Sequence, residues 1–344
     1  MSRVLVAMSG GVDSSVAAAL VRDAGHDVVG ATMKLWGGDS DSGCCSVSDV
    51  EDARRVAQQL GIDHHVFNFT DDFERDVVDP YVDAHARGRT PNPCVECNRH
   101  LKFGRFLRRA LHLGFDAIAT GHYARIEAVP RGWQLRRAVD PEKDQSYVLS
   151  MLGQTELART LLPLGGLTKP EVRARAAALG LRTAAKPDSQ DVCFILGTGG
   201  GRTTFLGDRI PLTPGRVVTR RGEQVGSVDA IELVTVGQRR GLSAGGGEKR
   251  FALDVDVVSG TVVVGPEHDL LVSEVRVTDM TWTQEALSPG TAVEIQCSAH
   301  AAPLPATWHP GRAVAADVPL RRVAPGQSVV VYRGDVVAGA GLAI

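Results

Sequence analysis

The chain has 344 residues, 43% of them hydrophobic and 23% charged, an ordinary composition for a globular protein with two or three domains. No stretch approaches the ~18 apolar residues of a membrane-spanning helix, and a strand pattern begins at once, so we expect a cytoplasmic protein without a signal peptide. The formal net charge of −2 excludes nucleic-acid binding through a general positive field, so an RNA partner would need local basic patches.

Strand and helix patterns alternate through the first 120 residues. In chain order they predict strand 4–8, helix 13–23, strand 28–35, helix 48–60, strand 64–69, helix 98–112 and strand 116–120. A capping box from Ser48 to Glu51 starts the second helix, and Gly61 ends it. This alternation predicts a parallel sheet with helices on both faces, and ligands bind to such sheets beyond the carboxyl ends of the strands.

A further helix is predicted at 169–179, where Thr168 and Glu171 form a capping box and Gly180 ends the pattern. Beyond a glycine-rich break at 197–201 the texture changes to short valine-rich strands, predicted at 216–220, 251–257, 261–264, 292–297, 327–332 and 336–338. We therefore predict a Rossmann-like α/β domain with a parallel sheet at 1–200, followed by small β-barrels or sandwiches in a mainly-β central domain at 201–268 and a C-terminal domain at 269–344.

A glycine-rich turn, SGGVDSS at residues 9–15, joins the first strand to the first helix. Gly10 and Gly11 let the backbone bend tightly, and the N–H groups at the helix start point at any anion there. Asp13 suits a site beside phosphate only if a magnesium ion lies between them. The turn resembles the PP-loop of ATP pyrophosphatases, which split ATP into AMP and pyrophosphate. That loop leaves the acceptor open, because it occurs in amidotransferase synthetases, argininosuccinate-type ligases and tRNA sulfur-transfer enzymes.

The six cysteines are expected to be reduced, catalytic or metal-binding rather than paired in a structural disulfide framework. Cys97 lies at the predicted start of helix 98–112, where the helix N-terminus favours a thiolate. Cys193 follows a polar turn and precedes an apolar pair, which predicts a position near a domain edge. We assign no chemistry to Cys44, Cys45 and Cys297.

Three hypotheses stay open for the reactive cysteines. Cys94 and Cys97 could form half of a zinc site, which would need a second ligand pair at suitable spacing. Cys94, Cys97 and Cys193 could hold an iron–sulfur cluster with one iron left open. Cys97 and Cys193 could instead form a redox pair, in which a persulfide on one cysteine attacks carbon and the other then attacks the persulfide, leaving a disulfide.

Six motifs follow one another along nearly the whole chain: SGGVDSS, TPNPCVEC at 90–97, GHY at 121–123, KDQSY at 143–147, the segment around Cys193, and GQRRGL at 237–242. Together they resemble the bacterial tRNA-specific 2-thiouridylase (MnmA) family. The resemblance implies a PP-loop α/β domain, a small central domain and a C-terminal β-barrel. It also implies a reaction, in which ATP adenylates the C2 oxygen of the wobble uridine of tRNA and persulfide sulfur replaces that oxygen, releasing AMP and pyrophosphate.

The resemblance assigns roles to single residues. Cys97 would be the nucleophile and Cys193 the carrier of the persulfide, and we expect Asp13, beside magnesium, to be the third catalytic residue. ATP with Mg²⁺ would be bound by Ala7, Met8, Ser9, Gly10, Gly11, Val12, Asp13, Ser14, Met33 and Gly121. The target base and the tRNA would meet Asn92, Pro93, Cys94, His122, Lys143, Asp144, Gln145 and Gln327.

Two other classes of protein remain alternatives. A PP-loop ligase acting on a small metabolite would explain the ATP loop but would give no task to Cys97 and Cys193. A non-catalytic RNA-binding module would bind zinc without turning ATP over. The partners that the family implies are a tRNA with a wobble uridine and a sulfur donor, either a cysteine desulfurase or a relay protein, and we expect a monomer.

Overall fold

The N-terminal part of the chain forms a five-stranded parallel sheet. The computed structural model describes residues 1–36, 46–188, 192–195, 201–243, 249–315 and 318–344. The first seven strands of the chain are β1 Arg3–Ala7, β2 Asp27–Lys34, β3 Asp63–Asn68, β4 Ala117–Ala119, β5 Ala124–Val129, β6 Gly132–Arg137 and β7 Thr160–Leu161, and all but β5 and β6 belong to this sheet. The sheet has the order β3-β2-β1-β4-β7. The strand order reverses between β1 and β4, and ligands of open α/β sheets bind at such a switch point.

Helices cover both faces of this sheet, as the alternating pattern predicts. They are α1 Val12–Asp23, α2 Val47–Leu60, α3 Thr70–Phe73, α4 Asp79–Ala86, α5 Pro93–Glu96, α6 Leu107–His112, α7 Ser146–Leu149, α8 Gln154–Leu157, α9 Lys169–Ala178 and α10 Gly201–Gly207. Two π-helical stretches, Glu74–Val78 and Cys97–Phe106, and 3-10 turns at Arg182–Ala185, Ile231–Leu233 and Glu267–Leu270 complete the set. Val4 and Val6 of β1 pack with α1, α2 and α9, whereas Leu5 and Ala7 face the cluster of α3 to α6.

The helix termini follow the predicted capping signals at α9 but not at α2. Thr168 and Glu171 cap α9 reciprocally, and the Thr168 N–H donates to Glu171 at 2.7 Å. At α2 the N-cap is Ser46, whose hydroxyl accepts from the Asp49 N–H at 3.1 Å. The predicted capping box from Ser48 is therefore wrong, because Ser48 already lies inside the first turn.

The helix that carries Cys97 starts earlier than predicted. α5 begins at Pro93, and Asn92 caps it by accepting from the Cys94 N–H at 3.0 Å. The chain then continues helically through Cys97–Phe106 into α6. The predicted start at residue 98 is therefore wrong, and Cys94 rather than Cys97 lies at the helix N-terminus.

A hairpin of β5 and β6, which the sequence patterns do not predict, leaves the first sheet and joins a later one. Arg136 of β6 pairs with Val336 near the C-terminus. Arg125 and Arg136 also form ion pairs of 2.7 and 2.8 Å with Asp335. The N-terminal part is thus attached to the C-terminal part by both backbone pairing and charge.

Two β-structures follow α10. The central one contains β8 Gly215–Thr219, β9 Gln224–Val228, β10 Phe251–Asp256 and β11 Thr261–Gly265 in the order β10-β11-β8-β9. The C-terminal one contains β12 Leu271–Val272, β13 Glu274–Trp282, β14 Thr291–Gln296, β15 Leu304–His309, β16 Arg312–Ala315, β17 Leu320–Arg321, β18 Ser328–Arg333 and β19 Val336–Ala343. Six of its strands close a barrel in the order β13-β16-β15-β14-β18-β19, because β19 also pairs with β13.

The closed barrel confirms the predicted C-terminal β-barrel, and the first sheet confirms the predicted parallel α/β fold. Trp308, Val329 and Val331 fill the barrel core. Within the described ranges, no helix is long and apolar enough to cross a membrane. Cys44, Cys45 and most of the predicted glycine-rich break, residues 197–200, lie outside the described residues.

Candidate active site

The turn after β1 is folded around a serine hydroxyl. Ser14 Oγ accepts from the Ser9 N–H at 3.1 Å and donates to the Gly11 carbonyl at 3.2 Å. α1 starts at Val12, and its N-cap, Gly11, has no side chain to cover the helix terminus. The first N–H groups of α1 therefore face the switch point uncapped, which is the arrangement of a phosphate-binding turn.

Two glycines of this region are required by close backbone approaches. Gly10 has a φ of +71°, and a Cβ at this position would collide with the Asp49 carbonyl. A Cβ at Gly121 would lie 2.7 Å from the Ser14 nitrogen and 2.8 Å from the Asp13 carbonyl carbon. The end of β4 therefore lies directly against the start of α1. Of the predicted nucleotide-binding residues, Gly121 and the 7–14 segment come together at the switch point.

Asp13 is paired with a lysine that the sequence patterns do not mark as a site residue. Lys169 Nζ lies 2.8 Å from both carboxylate oxygens of Asp13 and 2.8 Å from Asp188 Oδ1. The Lys169 side chain is only 10% exposed. The Tyr123 hydroxyl donates to Asp13 at 2.7 Å, and burial together with this bond raises the pKa of Tyr123. The carboxylate at the start of α1 is therefore neutralised by a nearly buried ammonium.

Asp188, the second carboxylate bonded to Lys169, forms ion pairs with three basic side chains. Besides Lys169, it binds Lys143 at 2.9 Å and Arg173 at 2.8 Å. Burial raises the pKa of Asp188, but the bonds from Lys169 and Lys143 outweigh burial and lower that pKa to about 2. The carboxylate is thus ionised at neutral pH. It joins the phosphate-binding turn, through Lys169 and Asp13, to the chain that leads to Cys193.

A third lysine, Lys186, bonds directly to the turn. Lys186 Nζ donates to the Gly10 carbonyl at 3.1 Å and to Asp49 and Asp52 at 2.7 and 2.8 Å. Although burial lowers the pKa of Lys186, the two carboxylates raise it above its ordinary value. Only six of the 38 basic residues are lysines. Their rarity is the sequence signal that could have found this cluster, since a compact ammonium and a guanidinium fork are not interchangeable.

His122 connects the turn to the helix that carries Cys97. Its ring is buried, Lys102 Nζ lies 3.4 Å from Nε2, and Thr120 Oγ1 lies 2.8 Å from Nδ1. Burial, and secondarily the Lys102 charge, hold the pKa of His122 well below its ordinary value. Neutral His122 therefore accepts from Lys102 and donates from Nδ1 to Thr120. Lys102 lies five residues after Cys97, so this bond ties the cysteine helix to the end of β4.

The predicted catalytic cysteines lie in one apolar cluster. Cys97 is 8% exposed and Cys193 is half-buried, and both pack in the cluster that contains Leu5 and α3 to α6. Phe194 holds the Cys193 segment in place, with ring centroids 5.5 Å from those of Phe73 and Tyr81. Cys94, by contrast, is exposed. Among the residues that the structure describes, no group of three or more His, Cys, Asp or Glu side chains is arranged to hold a metal ion.

Several residues expected at the tRNA have partners within the chain. Asp144 binds Arg137 at 3.0 Å, and the side-chain Oε1 of Gln145 accepts from the Tyr123 N–H at 3.0 Å. Lys143 binds Asp188, as described above. Gln327 Nε2 donates to the Thr90 carbonyl at 2.5 Å, directly upstream of Asn92. These residues therefore support the turn and the cysteine loop in the structure, whatever they contact when tRNA binds.

The parallel sheet, the uncapped helix start at its switch point and the surrounding lysines are those of an α/β nucleotide-binding protein of the PP-loop class. Three family models match the chain: the tRNA methyl transferase HUP domain at residues 2–197, the tRNA methyl transferase PRC-barrel domain at 203–266 and the aminomethyltransferase beta-barrel domain at 272–343.

Curated relatives match the chain over almost its entire length. The tRNA-specific 2-thiouridylase MnmA of Roseiflexus sp. (strain RS-1) is 46% identical over 99% of both chains. The protein of the same name from Chloroflexus aurantiacus is 48% identical over 99% of this chain and 98% of its own. A third, from Mycolicibacterium smegmatis, is 47% identical over 97% of this chain and 96% of its own. The chain therefore belongs to the tRNA-specific 2-thiouridylase (MnmA) family.

Proposed function

We propose that this chain is an ATP-dependent tRNA 2-thiouridine synthase that adenylates the C2 oxygen of the wobble uridine and replaces it with sulfur. The proposal depends most on the contacts between the phosphate-binding turn and the cysteine helix. Gly121 abuts the turn, and the adjacent His122 is bonded to Lys102 of the helix that carries Cys97. These contacts connect the proposed ATP-binding turn, which would activate the C2 oxygen, to the helix that carries Cys97. The names of the relatives support tRNA as the substrate.

The turn and its lysines suit the activation step. The C2 oxygen of uridine is a poor leaving group, and adenylation makes it part of AMP. The uncapped start of α1 would hold phosphate oxygens, and Lys169, Lys143 and Lys186 would supply positive charge around them. Mg²⁺, when bound, would spread the charge of the pyrophosphate, and Asp13 at the start of α1 would hold it only by exchanging the bonds that it makes to Lys169 and Tyr123. These donors are preorganised, because each lysine is already fixed by carboxylates.

Cys193 and Cys97 then divide the sulfur step between them. The terminal sulfur of a Cys193 persulfide attacks C2, and AMP leaves with the former C2 oxygen. The Cys97 thiolate attacks Cys193 Sγ, the sulfur on C2 departs as 2-thiouridine, and a disulfide between the two cysteines remains. A thiol reductant supplies the two electrons that reopen this disulfide. A persulfide-bearing donor protein then reloads Cys193.

The turn and the cysteines distinguish this function from three competing functions. A methyl transferase, which the family-model descriptions name, would use neither an ATP-splitting turn nor two thiols that pack in the same apolar cluster. The iron–sulfur alternative needs Cys94 as a third ligand, whereas Cys94 is exposed and Cys97 is buried. A ligase for a small metabolite would require neither cysteine.

The test is a thiolation assay with wobble-uridine tRNA, ATP, Mg²⁺ and a persulfide donor, using protein purified without oxygen and assayed for iron. We expect Cys97→Ser and Cys193→Ser to lower 2-thiouridine formation by ~10³-fold or more, as loss of a nucleophile does. Cys94→Ser should retain most of the activity. Cys297→Ser is the matched control, because burial raises the pKa of Cys297 to about 12 and it lies in the barrel.

Two results would contradict the proposal. A dependence on Cys94 together with stoichiometric iron would replace the persulfide scheme by the iron–sulfur one. Full activity of both Cys97→Ser and Cys193→Ser would remove sulfur transfer through these residues altogether.

A further inference from the structure

Thr90 is a joint at which three parts of the chain meet. Its N–H donates to the Pro325 carbonyl at 3.0 Å, and its carbonyl accepts from Gln327 Nε2 at 2.5 Å. Its hydroxyl donates to Thr235 Oγ1 at 3.2 Å. Every polar group of this one residue is therefore engaged by the barrel or by the central β-structure. Such full use of one residue's hydrogen-bonding groups fixes the backbone at this point.

The barrel side of the joint is built for close approach. Gly326 lies between Pro325 and Gln327 with a φ of +88°, a conformation that favours glycine. A Cβ on Gly326 would lie 3.5 Å from Arg89 Cβ and 3.8 Å from the Thr90 nitrogen. The PGQ loop before β18 therefore lies flat along residues 89–91.

In the central β-structure, the contact to Thr90 depends on the GQRRGL motif at 237–242, which has no role in the proposed chemistry. Gln238 Oε1 accepts from the Thr235 N–H at 3.1 Å, and the Gln238 N–H donates back to the Thr235 carbonyl at 2.9 Å. Gly237, with a φ of +86°, donates to the Ala252 carbonyl at 2.7 Å. The motif thus forms a tight turn pinned to β10, and this turn presents the Thr235 hydroxyl to Thr90.

The segment before Thr90 also contacts the central β-structure. His85 Nδ1 lies 3.1 Å from the Glu232 carbonyl oxygen. A Cβ on Gly88 would lie 2.9 Å from Val257 Cγ2. The chain is therefore held against the central β-structure from residue 85 until it reaches the joint.

Only Pro91 separates the joint from Asn92, the cap of the helix that leads to Cys97. Prolines at 91 and 93 restrict the backbone on both sides of Asn92. A displacement of Thr90 should therefore also displace the loop from Asn92 to Cys97, because the backbone between them has few other conformations available. We propose that Thr90 and Gln327 are positioning residues for thiolation, through which the GQRRGL turn and the barrel loop set the placement of the loop from Asn92 to Cys97. The inference rests on the proposed function and adds a structural role for both β-structures in it.

This role differs from a tRNA contact in a measurable way. A contact made only by bound tRNA would affect the KM for tRNA and leave the tRNA-free protein unchanged. A positioning residue would change the loop before tRNA arrives and would lower kcat at saturating tRNA, because misplacement of a reacting group is costly even when binding is complete.

The experiment compares Gln327→Met and Thr90→Val with Gln224→Met and Thr261→Val. The control residues lie in the central sheet, and their side chains bond only to carbonyl groups within two residues and to Arg216. Amide hydrogen exchange of a peptide covering 86–98 is measured in full-length protein without tRNA, together with kcat and KM. We expect Gln327→Met to speed this exchange ~2- to 10-fold, the loss of one net hydrogen bond, and to lower kcat.

Thr90→Val should change the same peptide by less, because the bond to Thr235 is longer, at 3.2 Å, and joins side chains, whereas Gln327 holds the backbone carbonyl of Thr90. The controls should match wild type in both measurements. Unchanged exchange in both joint variants, with an effect confined to KM, would overturn the inference and leave Gln327 as a tRNA contact. If the wild type makes no 2-thiouridine, the proposed function fails, and the exchange data still decide whether the joint holds the loop.

Discussion

Lys169 joins the two carboxylates on either side of it in the candidate site. Its ammonium lies between Asp13 and Asp188, two carboxylates that would repel one another without it. Local sequence signals place Lys169 at the first position of α9, after the Thr168 cap, and that position explains it as an ordinary helix residue. Its meeting with Asp13, 156 residues away, depends on the packing of α9 against α1. No local pattern contains that information.

Lys169→Met should therefore be more damaging than its place on a helix indicates. It removes the ammonium that Asp13 and Asp188 share, while Asp188 keeps Lys143 and Arg173, and we expect a loss of up to ~3 kcal/mol in the free energy of unfolding. The rate of ATP-driven activation should fall as well, because the turn loses a cation. Thermal denaturation and AMP release measure the two effects. Lys249→Met, at an exposed lysine, is the control, and equal behaviour of the two variants would contradict the role given to Lys169.

At the scale of elements, the sequence predicts what its local signals specify. The alternation of strands and helices, the capping box of α9 and the glycine after β1 all appear where predicted. The helix of Cys97 starts at Pro93 because Asn92 caps it, although two prolines in TPNPC also suit an extended loop. The hairpin of β5 and β6 escapes prediction for another reason. Its partner strand, β19, lies about 200 residues away in the chain.

A buried histidine, His85, lies where α4 contacts the central β-structure, and it should make the free energy of unfolding depend on pH. His85 is 2% exposed, and its Nε2 is buried with no hydrogen-bond partner among the residues that the structure describes. Burial lowers the pKa of His85 to about 4, against the opposing effect of the Glu232 carbonyl. Between about pH 4 and the ordinary histidine value of ~6.5, the unfolded chain therefore binds a proton that the folded chain does not.

Stability should consequently fall as the pH is lowered through this window, by at most ~1.4 kcal/mol per pH unit from this histidine. Urea denaturation at several pH values measures the slope. His85→Gln should flatten it, since glutamine carries no titrating group, whereas His112→Gln at an exposed position should not. Parallel slopes for wild type and His85→Gln would show that His85 is solvated in the folded protein.

At the scale of the whole molecule, the three β- and α/β-parts converge on one short loop. The hairpin of β5 and β6 attaches the first sheet to the barrel, and Thr90 is held by the barrel and the central turn together. The SGGVDSS turn between β1 and α1 was predictable as a turn because seven adjacent residues encode it, and its binding of phosphate stays a prediction. The arrangement around it was not, since Lys169, Lys186 and Gln327 reach their partners across 156, 176 and 237 residues of chain.

The central claim is that this architecture transfers the C2 oxygen of a uridine to AMP. The most direct measurement uses tRNA whose wobble uridine carries ¹⁸O at C2, incubated with ATP, Mg²⁺ and a persulfide donor, followed by mass spectrometry of the products. We predict that the label appears in the phosphate of AMP while the uridine becomes 2-thiouridine. Label that stays in the tRNA, or AMP that forms without it, would contradict the account.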